Sequence, residues 1–233
     1  MALSGLHMNF GSSSYIAERD KRIRRAEGIS LTPYYDRLAG SIAVGYGLDL
    51  LVNNNDAINR YLRSAYDSTG SGPQALSPED VALLNDARAR RNAGTANGAY
   101  LDSVINQLSI TLPSAPFATN LYNAVVADFE TLLDNRLGYT MPDSKERAAL
   151  VSMAYNGGAG IIGPKLTAAI TNDNRSEAWY EIRYNSNGGG SRSSGIATRR
   201  YSESDMFNLY DAVFNEEGSK EIMRMKKQSA FSH

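Results

Sequence analysis

The chain has no cysteine, and its only two histidines, His7 and His233, stand near the two ends of its 233 residues. A Ser-His-Asp or Cys-His hydrolase needs an imidazole base held inside the fold, and a zinc amidase or metalloprotease needs imidazole or thiolate ligands. Neither set is on offer, so the acid and base of any hydrolytic chemistry must be Asp and Glu, assisted by Tyr, Ser, Thr or Arg. Charge of one sign is also scarce. A formal net charge of -1 gives no broad basic field to hold nucleic acid or a membrane surface. No run of 18 apolar residues occurs, which argues against a membrane-spanning helix. The opening stretch MALSGLHMNFGSSS lacks the charged start and continuous apolar core of a secretory signal. The expectation is a protein made in the cytoplasm without a cleaved signal peptide. No internal repeat is present.

What is there concentrates between Glu27 and Asp49, EGISLTPYYDRLAGSIAVGYGLD. An acidic residue ends a helix-like run, a second follows nine positions later, and a third closes a glycine-punctuated strand pattern. Carboxylates placed this way suggest sugar chemistry. The helix is expected over 14–26, with Ile16, Ile23 and Glu27 on one stripe and Gly28 as its stop. A carboxyl at the electronegative end of a helix, turned inward, suits a proton donor; the alternative for Glu27 is a boundary residue reaching water. From Pro33 to Leu51 the residues favour strands, with Gly40, Gly45 and Gly47 at turns or close approaches, and predict a small antiparallel hairpin or meander. Asp36 is expected near its start and Asp49 at its close. Either aspartate has a second reading, the capping of local backbone amides.

The remainder reads as helical: 56–66, a start at Ser77-Pro78-Glu79-Asp80, then 119–135, 148–155, 163–171, 176–183 and 202–215. Asp143 with Glu146 forms a capping-box pattern ahead of the apolar run 148–155. Polar loops are expected over 67–75, 92–97 and 185–195. The cluster Asn172 to Asn174 lacks the glycine and closing glutamate of an oxygen-ligand metal loop and reads as a turn, so no metal is expected.

Glu27-Gly28 to Tyr35-Asp36, followed by Val44-Gly45-Tyr46-Gly47, resembles the active-site signature of the phage T4-type lysozymes. The family pattern is a glutamate, eight residues, an aspartate, then a threonine before a Gly-x-Gly strand. ALVSMAYNGG from Ala149 to Gly158 resembles the family's core helix, and GIATRR from Gly195 to Arg200 resembles a late arginine-bearing loop before a final helix. Two departures stand out. Ala43 occupies the threonine position, one residue further from Asp36 than in the family pattern, and Ser41, two residues away on the same strand face, is a candidate for the missing hydroxyl. Gly47-Leu48-Asp49 is similar to the Gly-x-Asp of pesticin-like relatives, in which that aspartate is counted as catalytic.

The resemblance implies an α+β, mostly α, lysozyme-like fold: a small N-terminal antiparallel β region against a helical lobe, with the active-site cleft between them. The organisation expected is a tail over 1–13 and one catalytic domain over 14–233. That domain divides into 14–66 (helix and hairpin), 67–118 (a helical insertion without counterpart in the smallest members) and 119–233 (the C-terminal helical lobe). The implied activity is hydrolysis of the β-1,4 bond between N-acetylmuramic acid and N-acetylglucosamine in peptidoglycan, with inversion and without cofactor. Glu27 is the expected acid and Asp36 the preferred second carboxylate, with Asp49 the alternative and Ser41 in support. Tyr46, Tyr155, Asn156 and Arg199 are the expected sugar-binding or orienting residues, with Arg199 a partner for Glu27. Two other activities fit the same frame: a lytic transglycosylase using Glu27 alone, and a degenerate module that holds glycan without cutting it. The expected partners are peptidoglycan strands and, for an antibacterial effector, a cognate immunity protein. The chain is expected to be monomeric and to act in the periplasm or cell wall after delivery by a holin, a phage particle or a secretion system.

Overall fold

The structure, a computed structural model, describes residues 3, 5–6, 10–67, 75–186 and 194–207. The chain divides into two compact units, one of residues 27–128 and the other of residues 1–26 with 129–233.

The contiguous unit opens with a three-stranded antiparallel sheet in the order β1 (Ser30–Asp36), β2 (Ser41–Gly45), β3 (Leu48–Asp49). This is the meander expected from the sequence, although Asp36 ends the first strand instead of starting the sheet. β1 pairs with β2 through Ser30 with Gly45, Tyr34 with Ala43, Tyr35 with Ile42 and Asp36 with Ser41, and the register shifts between Ser30 and Tyr34. Pro33 sits inside that irregularity, where a residue without an amide donor costs the ladder nothing. The fully buried Ile42 and Val44 alternate with Ser41 and Ala43, so the apolar pair faces one way and the hydroxyl-bearing row the other. Gly98, at the start of α4 (Gly98–Ile105), lies so close to Tyr35 that a Cβ there would be 3.1 Å from the ring.

Three further helices complete this unit up to residue 128. In α2 (Asn55–Asp67), Ile58, Tyr61, Leu62, Ala65 and Tyr66 are buried, the i, i+3, i+4, i+7 stripe of a helix with one wet face. α3 (Pro78–Asn92) begins at Ser77 with Pro78 in the first turn, as the sequence predicts, and Asp80 completes a capping box with Ser77. α5 (Ala115–Leu137) begins four residues earlier than expected because Pro116 is tolerated in a first turn, where its missing amide has no partner to lose. Most of the 67–75 loop lies outside the described residues.

In the other unit, α1 (Ser12–Glu27) buries Tyr15, Arg19 and Ile23. Ile16 is 45% exposed, so the inward stripe runs i, i+4, i+8 from Tyr15 and Ile16 is not on it. A buried arginine is tolerable there because Glu130 Oε1 accepts from Arg19 Nη1 at 2.6 Å and from the Tyr15 hydroxyl at 2.5 Å. The segment expected as a loose tail supplies Leu3 and Leu6, both buried. α6 (Lys145–Gly157) is the apolar core helix, but its cap is Ser144, whose hydroxyl accepts from the amide of Arg147. Asp143 is not the cap, and Glu146 is no capping-box partner. Glu146 is fully buried and accepts from Arg175 Nη1 at 2.5 Å.

A 3-10 turn (Ala159–Ile161), α7 (Pro164–Thr171), α8 (Arg175–Tyr180) and a π turn (Glu181–Asn185) follow. The Asn172 to Asn174 cluster is the turn expected there, and Asn174 in addition caps α8 through the amide of Glu177. α9 (Ser194–Asp205) starts eight residues before the helix expected at 202. GIATRR is therefore helical rather than a loop, and residues 208–215 lie outside the described residues, as does most of the loop expected over 185–195.

Candidate active site

Glu27 is the last residue of α1, and Gly28 at φ +69° ends the helix behind it. The Glu27 side chain is half-buried and lies against Gly47, where an added Cβ would sit 3.3 Å from Oε2. Gly47 adopts φ +91°, so this position requires glycine twice over, for backbone conformation and for room beside the carboxylate. Gly45, two residues earlier at φ +69°, meets Leu121 in the same way at 3.1 Å. The Gly-Tyr-Gly run is thus a packing device that seats Glu27.

Strand pairing brings the two aspartates to the same sheet face. Tyr34 stands opposite Ala43 and Ala43 opposite Asp49, giving a row across all three strands. Asp36 opposite Ser41 forms the neighbouring row, and partners in an antiparallel pair project to one side. Asp36 Oδ1 accepts from the amides of Leu38 and Ala39 at 2.9 and 3.1 Å. Asp49 Oδ1 accepts from the amides of Leu51 and Val52 at 2.8 and 2.9 Å and from the Ser41 hydroxyl at 2.6 Å. Each aspartate therefore holds a turn, as the capping reading anticipates. Among the described residues, neither Oδ2 accepts a hydrogen bond, leaving one oxygen of each carboxylate for other work.

Tyr34 is the group through which these charges meet. Burial raises its hydroxyl above the ordinary tyrosine value, and the charges of Asp36, Glu27 and Asp49, in that order, raise it further. From the sequence, Tyr34 reads as an aromatic strand residue, for the core or for stacking on a sugar face. Its i, i+2 parity with Asp36 is the signal that places it on the acidic face.

Behind Asp49, Arg88 of α3 grips the following turn. It donates to the carbonyls of Leu50 and Asn53 at 2.7 and 2.8 Å and to the side-chain oxygens of Asn55 and Asn85 at 2.7 and 2.9 Å. Burial lowers the Arg88 value and the charge of Asp49 opposes that shift. A residue of the expected insertion thus stabilises the turn that carries a candidate catalytic carboxylate.

The remaining candidates have occupations of their own. Tyr46 is 7% exposed, its ring set edge-on to Tyr122 at 5.7 Å, so it serves the core and offers a sugar little face. In the other unit, Tyr155 is half-buried against Phe129 at 5.1 Å. Asn156 is exposed, but its Oδ1 accepts from Arg200 Nη2 at 2.8 Å, which leaves the amide hydrogens as its free donors. Arg199 donates to the carbonyl of Ser152 at 2.9 Å and to Glu203 Oε1 at 3.2 Å. Arg200, which the sequence reading passes over, is the buried member of the pair. It bonds Glu203, the carbonyl of Ser186 and Asn156. Two adjacent arginines on a helix point about 100° apart, and the sequence does not say which one turns inward.

Among the described residues, no group of three or more His, Cys, Asp or Glu side chains is arranged to hold a metal ion. Nor is any helix long and apolar enough to cross a membrane.

Residues 94–203 match the phage lysozyme family. The match begins downstream of Glu27, Asp36 and Asp49 and covers just under half of the chain, from the approach to α4 into α9. No curated protein matches the chain significantly.

Proposed function

From a chain whose residues 94–203 carry the phage lysozyme family, and which supports a peptidoglycan-degrading glycosidase on that ground, we propose a muramidase cleaving the β-1,4 bond between N-acetylmuramic acid and N-acetylglucosamine. The observation that carries the catalytic assignment is the seating of Glu27 against Gly47 in the unit that also sets Asp36 and Asp49 on one sheet face. Glycoside hydrolysis with inversion needs a carboxylic acid to protonate the leaving oxygen and a carboxylate to deprotonate water on the opposite side of the sugar, the two held about 6.5 to 9.5 Å apart. Glu27 gives its proton to the glycosidic oxygen. Asp36, or Asp49 as the second candidate, takes a proton from the water that bonds to the anomeric carbon. Exchange with solvent restores both groups. Ser41 supports Asp49 through its hydrogen bond, while Asn156, Arg199 and Tyr155 serve sugar binding or the orientation of groups that bind sugar.

The test is turbidity loss of purified peptidoglycan by wild type and Glu27→Gln side by side, with mass analysis of the released fragments. Reducing muropeptides ending in N-acetylmuramic acid, absent for the variant, are expected. Anhydro products would replace the hydrolase with a lytic transglycosylase. Binding without release by a folded wild type would leave a recognition module. We place the protein at the cell wall, delivered by a holin, a phage particle or a secretion system. Toxicity on export to the periplasm, relieved by an immunity protein from the producing cell, would single out the effector role.

A further inference from the structure

Inversion requires that the attacking water be held against the base, and on the muramidase reading above the question is which group holds it. The acidic sheet face has few hydroxyls to offer. Ser41 is fully buried, and its hydroxyl donates to Asp49 Oδ1 at 2.6 Å, so it faces protein rather than a solvent molecule. Ala43, in the middle of the Tyr34, Ala43, Asp49 row, has no polar atom. Tyr34 stands directly across from Ala43 and two residues from Asp36 on the same strand face. Its side chain is half-buried, and its hydroxyl is not among the buried polar atoms sealed off without a partner. Among the described residues, no hydrogen-bond partner meets that hydroxyl, although the charges of Asp36, Glu27 and Asp49 all act on it.

We propose that the Tyr34 hydroxyl holds the attacking water, filling on β1 the place left empty by Ala43 on β2, and that Tyr34 is therefore a catalytic residue. A phenol donates one hydrogen bond and accepts others, so it can orient a water whose proton leaves toward a neighbouring carboxylate. The assignment holds for either choice of base, since Tyr34 neighbours Asp36 along β1 and shares a row with Asp49.

The experiment compares wild type, Tyr34→Phe and Tyr34→Phe combined with Ala43→Ser on a soluble peptidoglycan oligosaccharide, with thermal midpoints measured for each. Tyr34→Phe keeps the ring and removes only the hydroxyl. The expected result is a kcat lower by about 10- to 100-fold, the scale of a misplaced reactant, with KM and melting temperature unchanged. Partial recovery of kcat is expected in the double variant, because Ala43→Ser returns a hydroxyl to the same row. An unchanged kcat in Tyr34→Phe would overturn the proposal while leaving the muramidase reading intact. So would a rise in KM alone, which assigns Tyr34 to sugar contact, or a fall in activity matched by a fall in melting temperature. An inactive wild type, or one that releases only anhydro sugars, would overturn the hydrolase reading and this proposal together, through a control that does not involve Tyr34.

Discussion

At the scale of single residues, the site depends as much on side chains that are missing as on those present. Gly47→Ala adds one methyl group where the backbone stands at φ +91° and where Oε2 of Glu27 would be 3.3 Å away. Forcing an L side chain into the left-handed region costs about 1 to 2 kcal/mol, which urea denaturation would register. The activity loss should be larger in proportion, about 10-fold or more, because the carboxylate must shift by tenths of an ångström. Kinetics and denaturation on one sample separate the two effects. The aspartates are distinguished by replacing each with asparagine. With Asp36 as base, Asp36→Asn should reduce kcat by about 100-fold or more, and Asp49→Asn should lower stability more than turnover, since Asp49 Oδ1 collects three donors against two for Asp36. The reverse ranking would transfer the base to Asp49. The candidate carboxylates were legible in the sequence because glycine and acid spacing is local information. Tyr34 and Arg88 were not, because their relevance comes from strand pairing and from a helix about forty residues along the chain.

At the scale of elements, the clearest sequence signals were those where backbone chemistry is closed within a few residues. The Ser77 to Asp80 box is such a case, and it also shows how a local motif acquires a distant partner. Asp80 is buried; burial pushes its carboxyl up, but donors from Ser109 and Ser77 outweigh that and hold it below the usual carboxylate range. A carboxyl lowered on folding contributes stability that is present above its unfolded value near 3.9 and is lost as pH falls through its folded value. Melting temperature should therefore drop as pH is lowered below about 4, and Asp80→Asn should be less stable at neutral pH and flatter over that acid range. An equally steep acid slope in the variant would assign the loss to other carboxylates. Both element-level differences involve a buried charged residue, Glu146 in α6 and Arg200 in α9. Ser144, not Asp143, caps α6, and the buried Glu146 pairs instead with Arg175, 29 residues away, while α9 begins early with Arg200 buried in an i, i+3 pair with Glu203. A long-range pair such as Glu146 with Arg175 leaves no periodic trace.

On the scale of the whole molecule, the sequence conveyed the class, a helical protein with one small antiparallel sheet, because hydrophobic periodicity separates those element types. How the chain is shared between its two units was not legible, since that depends on pairs such as Arg175 with Glu146 and with the carbonyl of Gly5. In the unit made from both chain ends, Glu203 is the hub: Arg200, Arg199 and Ser152 all donate to it, and both Glu203 and Arg200 are buried. Removing one partner of a buried pair strands the other charge, at a cost of about 3 to 5 kcal/mol. Glu203→Gln should show that loss in denaturant unfolding, and a change below about 1 kcal/mol would fall in the range of a surface pair instead.

The division of the chain also bears on biosynthesis. Residues 27–128 are contiguous, while their companion unit needs residues from 1–26 and from 129 onward. A chain emerging from the ribosome exposes all of the first before most of the second exists, and domains tend to fold as they emerge. The face bearing Asp36 and Asp49 can therefore assemble on a nascent chain, whereas α1, which ends at Glu27, must wait for residues more than a hundred positions away, such as Glu130, before Arg19 finds its counter-charge.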